Sequence, residues 1–361
     1  MSRPVLLGVE TSCDETSVAV LQAPDDLLGH VILSQDGHRV YGGVVPELAA
    51  RAHLEALDDV VAGAMKEAGL GPTDLDAVAV TAGPGLIGAL LVGVSWAQGA
   101  AAGLGRPVVP VHHMEAHLFA PSLEDPRAEP PFVALLVSGG HTLLLHAPAW
   151  GHYELLGETR DDAVGEAFDK VARILDLPYP GGPQVEREAA RGDSARYRFP
   201  RPMLERKGAP DAQGAFDFSF SGLKTAVALE VDRARAEGGL EDARPDLAAG
   251  FQAAAVEVLA TKTLRAVELL GCNRVLLGGG VAANGPLREA LRAGLPPEGE
   301  LMVPSIRLAV DNGAMVARAG AFRLERGDVA HGELAARADL PFPGLVRKGG
   351  RTAGPSTGVP L

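Results

Sequence analysis

"VLLGVETSCDETSVAVLQ", Val5 to Gln22, is the stretch that decides the fold. Two apolar runs flank a polar turn, "TSCDET", and this pattern spells a β-hairpin. A third strand is expected at "HVILSQ", His30 to Gln35. The same phrase returns at "PPFVALLVSGGHTLLLHAP", Pro130 to Pro148: strand, small polar turn, strand. The likeness is of pattern and not of residues, and it predicts an internal duplication.

Between the two hairpins, apolar spacing over 46–70 is helical, with Gly69 and Gly71 as the stop. "LDAVAVTAGPG" reads as a buried strand ending in a turn. "LIGALLVGVSWAQGAAAGLG" reads as an almost wholly buried helix, and "PVVPVHHM" as another short strand. After the second hairpin come a long helix over 246–270, a strand and Gly-rich turn in "NRVLLGGGVAAN", and a last amphipathic helix in "DNGAMVARAGAFRLERG". Strands alternating with helices imply an α/β sheet covered on both faces. The segment 192–214 is rich in Arg, Pro and Gly and reads as a mobile insertion. The expected organisation is an N-terminal lobe over 1–130 and a C-terminal lobe over 131–308, with a ligand cleft between them. A final helix over 309–330 returns to the first lobe, and 343–361 forms a flexible tail.

At 361 residues the chain is too long for one ordinary domain and about right for two. Its net charge of −13 argues against wide, unaided binding of nucleic acid, which needs a basic footprint. Beyond Asp339 no acid remains, while Arg347, Lys348 and Arg351 lie among glycines. That end reads as a solvated tail or as an arm for a polyanion. No apolar run reaches membrane-spanning length without interruption, and the start lacks a secretory pattern. With only Cys13 and Cys272, a disulfide scaffold is not expected. The expected location is the cytoplasm, with no membrane partner.

Three turns could hold an anion. Thr11, Ser12 and Thr16 surround the first, with Glu10, Asp14 and Glu15 beside them. Ser138-Gly139-Gly140-His141-Thr142 makes the second, and Gly278-Gly279-Gly280 the third, followed by Asn284. Glycines let the backbone approach a phosphate, and exposed N–H groups cradle it. Each turn alone is an ordinary strand ending; three in one chain point to a nucleotide-like ligand. Neither G-x-x-x-x-G-K-S/T nor G-x-G-x-x-G is present.

"VHHMEAHLFAP" places His113 and His117 one helical turn apart, on one face, where two imidazoles can grip a cation. Asp311 is a candidate third ligand, and equally a natural N-cap for the last helix. Iron or zinc would suit such a set. Met114 follows His113 and Glu115 comes one place later, so the H-E-x-x-H protease pattern is not met. Asp169 is either an i, i+4 partner of Arg173 or a carboxylate aimed at a ligand. Ser219 or Ser221 is expected to cap a helix.

"GVETSCDETSVAV", "GPGLIGALLVG", "VHHMEAHL", "LLVSGGHT", "GEAFDKVARIL", "YPGGP", "FSFSGLKTA", "GGGVAAN" and "DNGAMVA" occur in this order. Together they resemble the TsaD family of bacterial tRNA threonylcarbamoyltransferases, related to the KEOPS-complex counterpart. The resemblance runs from about Val5 to Arg326. It implies a two-lobed actin/hexokinase-like (ASKHA) α/β fold. It implies transfer of threonylcarbamoyl from threonylcarbamoyl-AMP to the adenosine 3′ of the anticodon in tRNAs reading ANN codons. It matches His113, His117 and Asp311 to ligands of one divalent metal, Fe2+ foremost and Zn2+ second. It matches Leu136, Val137, Ser138, Gly139, Gly140, Asp169, Gly182, Glu186 and Asn284 to ligand-binding positions. It implies a TsaB-like paralogue and a TsaE-like ATPase as partners, the former on the helix containing "VVPELAARAHLEALDDVVAGAM". Glu10 and Asp14 are the candidate proton acceptors. A kinase or ATPase of the same fold, and a metalloprotease, are the competing readings.

Overall fold

The hairpin at the start of the chain forms because its alternating side chains have two faces to cover. In the computed structural model, which describes residues 3–204 and 214–347, β1 (Val5–Glu10) pairs antiparallel with β2 (Glu15–Gln22). β2 pairs antiparallel with β3 (Asp26–Ser34). α1 (Pro46–Ala68) follows, then β4 (Ala77–Gly83), α2 (Ile87–Leu104), β5 (Val108–His112) and α3 (His113–Phe119). β4 lies parallel to β1 and to β5, so the sheet order is β3-β2-β1-β4-β5.

The second sheet repeats this plan. β6 (Phe132–Val137), β7 (Thr142–Ala149) and β8 (His152–Glu158) form an antiparallel meander. α4 (Val164–Ile174), α5 (Gly181–Ala189), α6 (Ser221–Ala236) and α7 (Leu240–Leu270) follow. β9 (Arg274–Gly278), α8 (Gly285–Gly294) and β10 (Glu300–Met302) come next. β9 is parallel to β6 and to β10. The order β8-β7-β6-β9-β10 copies β3-β2-β1-β4-β5 strand for strand and direction for direction. The chain then returns through α9 (Ile306–Ala309) and α10 (Gly313–Glu325), and ends in β11 (Leu345–Arg347), parallel to β8. It forms two compact units: described residues up to Ala128 with Pro304–Gly344, and Glu129–Val303 with β11.

In the first unit, Leu7, Val9, Val18, Val20, Val78 and Val80 pack with Leu57 and Val60 of α1 and Val94 and Ala97 of α2. Each such side chain, removed from water, contributes about 1.5–3 kcal/mol. The opposite face is lined by small residues, and α10 lies directly on it. A Cβ at Gly8 would sit 2.3 Å from the Gly313 carbonyl oxygen, and one at Gly320 would sit 2.4 Å from the Ala79 Cβ. The second unit buries Val133, Leu135 and Val137 among α4, α5, α6 and α7.

Several sequence expectations need correction. α2 is not almost wholly buried: Ala89, Leu90, Gly93, Val94, Ala97 and Ala101 face the core, while Ile87 and Leu91 are 48% and 49% exposed. It is also long and apolar enough to cross a membrane by length and composition, although its buried residues place it as a core helix of the first unit. α10 is not amphipathic: every residue from Gly313 to Ala321 is buried, because α3 and the sheet enclose it. α7 begins at Leu240 and runs through Pro245. The expected insertion is anchored where it starts, with Phe199 in the core and Arg196 paired to Asp246 at 2.7 Å; residues 205–213 lie outside the described set. The first part of the expected tail is not free: Leu345–Arg347 forms a strand and Arg347 pairs with Glu158 at 2.8 Å. Lys348 and Arg351 lie outside the described residues.

Candidate functional site

α3 is a seven-residue helix that starts where β5 ends. His112 is its N-cap: its Nδ1 accepts the Glu115 backbone N–H, and its Nε2 faces the Leu340 carbonyl at 3.1 Å. That fixes the helix phase, so His113 and His117 share one face. Their rings meet edge to face, centroids 4.8 Å apart.

Asp311 reaches them from the start of α10. It is not the cap of that helix. Asn312 is, with its Oδ1 accepting the Met315 N–H at 2.9 Å and its amide donating to the Leu308 and Val310 carbonyls. The cap reading of Asp311 fails because the next residue does the work, and its carboxylate is left for the histidines. Asp311 Oδ1 lies 3.4 Å from His113 Nε2 and 3.2 Å from His117 Nε2. The three candidate ligating atoms all lie within 4.8 Å of one another. Two imidazoles and one carboxylate, with both Nε2 atoms turned to the same oxygen, are a donor set that fits a divalent cation.

The surrounding charges are mutually adjusted. Burial resists charge on Asp311, but His113 and His117 overcome it and hold its carboxyl far below the usual range. Burial likewise opposes protonation of His113, yet Asp311 and Glu10 on either side hold its pKa well above the ordinary histidine value. Glu15 is pushed well up, first by burial and then by Asp311 and Asp14. Glu10 is fully buried and both its oxygens are occupied, by the Ser12 N–H and the Thr81 hydroxyl, each at 2.6 Å. A carboxylate so engaged does not reach a substrate amine. Asp14 sits half-buried in the turn after it.

Glu115, the residue that would have to serve a protease, is fully buried and held by Arg323 of α10 through both its oxygens, at 2.6 and 2.7 Å. The pair ties α3 to α10.

The other expected ligand positions all lie in the second unit. Leu136 and Val137 end β6 and are buried; Gly139 and Gly140 are exposed, and a Cβ on either would meet nothing within 4 Å. Ser138 closes the turn, its N–H donating to the His141 carbonyl and its Oγ accepting the His141 N–H. The first turn of α4 packs against it: a Cβ at Gly165 would lie 2.4 Å from the Ser138 oxygen. The positive end of a helix therefore adjoins this turn. Gly279, at φ +85°, belongs to the same neighbourhood, with Val137 O only 2.5 Å from where its Cβ would be.

Asp169 is not merely a surface group on α4; its Oδ1 accepts the Gly181 N–H at 2.8 Å, next to Gly182 at the start of α5. Asn284 caps α8, accepting the Leu287 N–H, and donates to Glu186 and to Gln252 at 3.2 and 3.0 Å. Gln252, buried on α7, was invisible in the sequence because nothing around it departs from an ordinary helix. Ser219 and Ser221 are not helix caps. Their hydroxyls, with the Phe220 and Ser221 N–H groups, bind Asp161, and that carboxylate closes the start of α6.

Solved structures share this architecture. T. kodakarensis HypF aligns over 90% of this chain and 48% of its own, with TM-score 0.56 and 14% identity. The (R)-2-hydroxyglutaryl-CoA dehydratase component A of Acidaminococcus fermentans aligns over 90% and 99%, with TM-score 0.51 and 14% identity. The fold is the α/β fold of the actin/hexokinase type. Sequence comparison is more specific. The family profile of TsaD, tRNA N6-adenosine threonylcarbamoyltransferase, matches residues 26–318. A curated protein of that name from Gemmatimonas aurantiaca is 53% identical over 349 residues, 94% of this chain and 98% of its own. One from Magnetococcus marinus is 50% identical over 358 residues, 96% and 99%. The chain belongs to the TsaD family of tRNA N6-adenosine threonylcarbamoyltransferases.

Proposed function

We propose that this chain transfers the threonylcarbamoyl group of threonylcarbamoyl-AMP to the exocyclic amine of the adenosine 3′ of the anticodon, in tRNAs reading ANN codons, and releases AMP. The observation that carries the reading is the convergence of His113, His117 and Asp311 in a chain of this family. The donor is a mixed anhydride and already activated, so positioning and charge stabilisation suffice and no protein nucleophile is needed. A divalent metal held by His113, His117 and Asp311 would supply Lewis-acid polarisation of the transferred group. Two histidines and one carboxylate with open positions favour Fe2+, with Zn2+ as the alternative.

The Ser138-Gly139-Gly140 turn, open above its glycines and flanked by the start of α4, would take the phosphate. Asp169, Glu186 and Asn284 would face the nucleoside, with Asn284 and the Gly285 N–H orienting Glu186. Leu136, Val137 and Gly182 shape the same region. With Glu10 committed, proton uptake from the amine falls to Asp14 of the adjoining turn.

A TsaB-like paralogue would dock on the first unit, where Leu48 and Leu54 of α1 and Ile87 and Leu91 of α2 are exposed. A TsaE-like ATPase completes the set, and the cytoplasm, where tRNA is found, is the proposed location. Help from partners suits a chain of net charge −13. A kinase or protease is not favoured: the family is a transferase family, and Glu115 is locked to Arg323.

The test mixes the protein with preformed threonylcarbamoyl-adenylate and unmodified tRNA, with and without both partners, and reads the digested nucleosides by mass spectrometry. Threonylcarbamoyladenosine that requires this chain is the expected result. Its absence even with both partners would overturn the reading.

A further inference from the structure

Glu10 ends β1 with its side chain wholly buried. Its Oε1 accepts the Ser12 N–H at 2.6 Å. Its Oε2 accepts the Thr81 hydroxyl at 2.6 Å and faces His113 Nδ1 at 3.2 Å. An ionised carboxylate only accepts, so His113 Nδ1 must carry a hydrogen. The Ser12 hydroxyl, 3.2 Å from the same nitrogen, can donate or accept, and so does not decide the matter. With Nδ1 committed to donate, Nε2 is the nitrogen that can offer a lone pair, and Nε2 is the one turned to Asp311. His117 has no such device: its Nδ1 is buried with no hydrogen-bond partner among the described residues.

We propose that Glu10 is the positioning residue of the metal centre. Held from two sides by Ser12 and Thr81, it selects the His113 tautomer whose Nε2 binds the cation. It touches neither substrate nor metal. This inference rests on the metal-site part of the proposed function and goes beyond it by assigning the outer carboxylate on which that site depends.

The test is binding of Co2+ and Zn2+ alone to metal-free protein, by calorimetry and by the visible absorption of bound Co2+, with no tRNA or adenylate present. Glu10→Gln is nearly isosteric. Because the Ser12 N–H needs an acceptor, the amide nitrogen of the new side chain is forced to the position facing His113 Nδ1. His113 Nδ1 must then accept from that amide, and the ring hydrogen moves to Nε2. The expected result is a 10- to 100-fold loss of affinity, the range for outer-shell partners of metal-bound histidine, and a changed Co2+ spectrum. Thr81→Val, which loosens the carboxylate without touching the charge, should lose less than about 10-fold; it remains a test if Glu10→Gln does not fold. Folded Glu10→Gln with unchanged affinity and spectrum would overturn the proposal and leave the transfer reading intact. Wild-type protein that binds neither cation would overturn both this proposal and the metal site beneath it, while the transfer assay judges the reaction separately.

Discussion

The two sheets begin alike and end their first turns differently. After β1 the turn is acidic and filled: Thr11 donates to the Ala89 carbonyl, Ser12 binds Glu10, and a Cβ at Gly93 would come within 2.4 Å of the Thr11 hydroxyl. After β6 the turn is Ser138-Gly139-Gly140, exposed, with open space above both glycines. Strand order and direction are the same in the five shared strands, so at this position the difference lies in turn chemistry. The proposed cation site lies by the first turn and its carboxylates, and the proposed anion site at the second, beside a helix start. Duplication preserves what the sheet needs and releases what the loops can change.

The sharpest way to break this contrast is to empty the cation side. His117→Ala or Asp311→Ala should lower transfer by about 10³-fold or more, equivalent to about 4 kcal/mol or more, with the far-ultraviolet circular dichroism spectrum unchanged; a smaller loss would move the chemistry elsewhere. Next is the clamp beneath it. Arg323→Met leaves Glu115 buried without its partner and should cost about 3–5 kcal/mol in chemical denaturation; an unchanged midpoint would show that the pair is not a tie between α3 and α10.

Acid sensitivity should also belong to the first unit. Burial, and then the Arg307 guanidinium, push His30 down to about 4. The unfolded chain takes that proton near the ordinary value of about 6.5. The unfolded state therefore binds more protons between those values, so stability is complete above about 6.5 and is lost as pH falls towards 4. From pH 7.5 to 5 this one group should account for about 2 kcal/mol, and His30→Gln should lose correspondingly less stability over that interval. Equal pH slopes for the two proteins would exclude His30 as the source. The smallest effect tests the anion side: Gly139→Ala should fold normally and weaken adenylate binding about 10-fold, or about 1.4 kcal/mol. Unchanged affinity would remove the turn from the ligand site.

Much of this was legible in the sequence. The strand–turn–strand phrase at Val5–Gln22 and again near Phe132 announced the two hairpins, because continuous apolar runs around a short polar turn pair as strands buried on both faces. The spacing of His113 and His117 put two imidazoles on one helix face, where the structure has them. What was not legible depends on contacts between distant segments. Nothing local distinguishes Asp311 from a cap; the choice is made by Asn312 and by histidines nearly two hundred residues earlier. α10 reads as amphipathic because Arg318 and Arg323 look like a polar face, yet both are buried, Arg323 against Glu115. Thr81 and Gln252 carry no sequence signal, since a threonine in a strand and a glutamine in a helix are ordinary.

The return of α10 to the first sheet has a consequence for the order of events during synthesis. Glu115 and Arg323 are 208 positions apart, and Asp311 is likewise made only after Glu129–Val303 of the second unit. Until then the small-residue face formed around Gly8, Ala19 and Ala79 has no helix against it, and the histidine pair lacks its carboxylate. A ribosome-bound chain stopped at Val303 would lack α10 in its first unit and β11 in its second. The contact between α10 and the first sheet therefore forms only after residues 304–325 have been made.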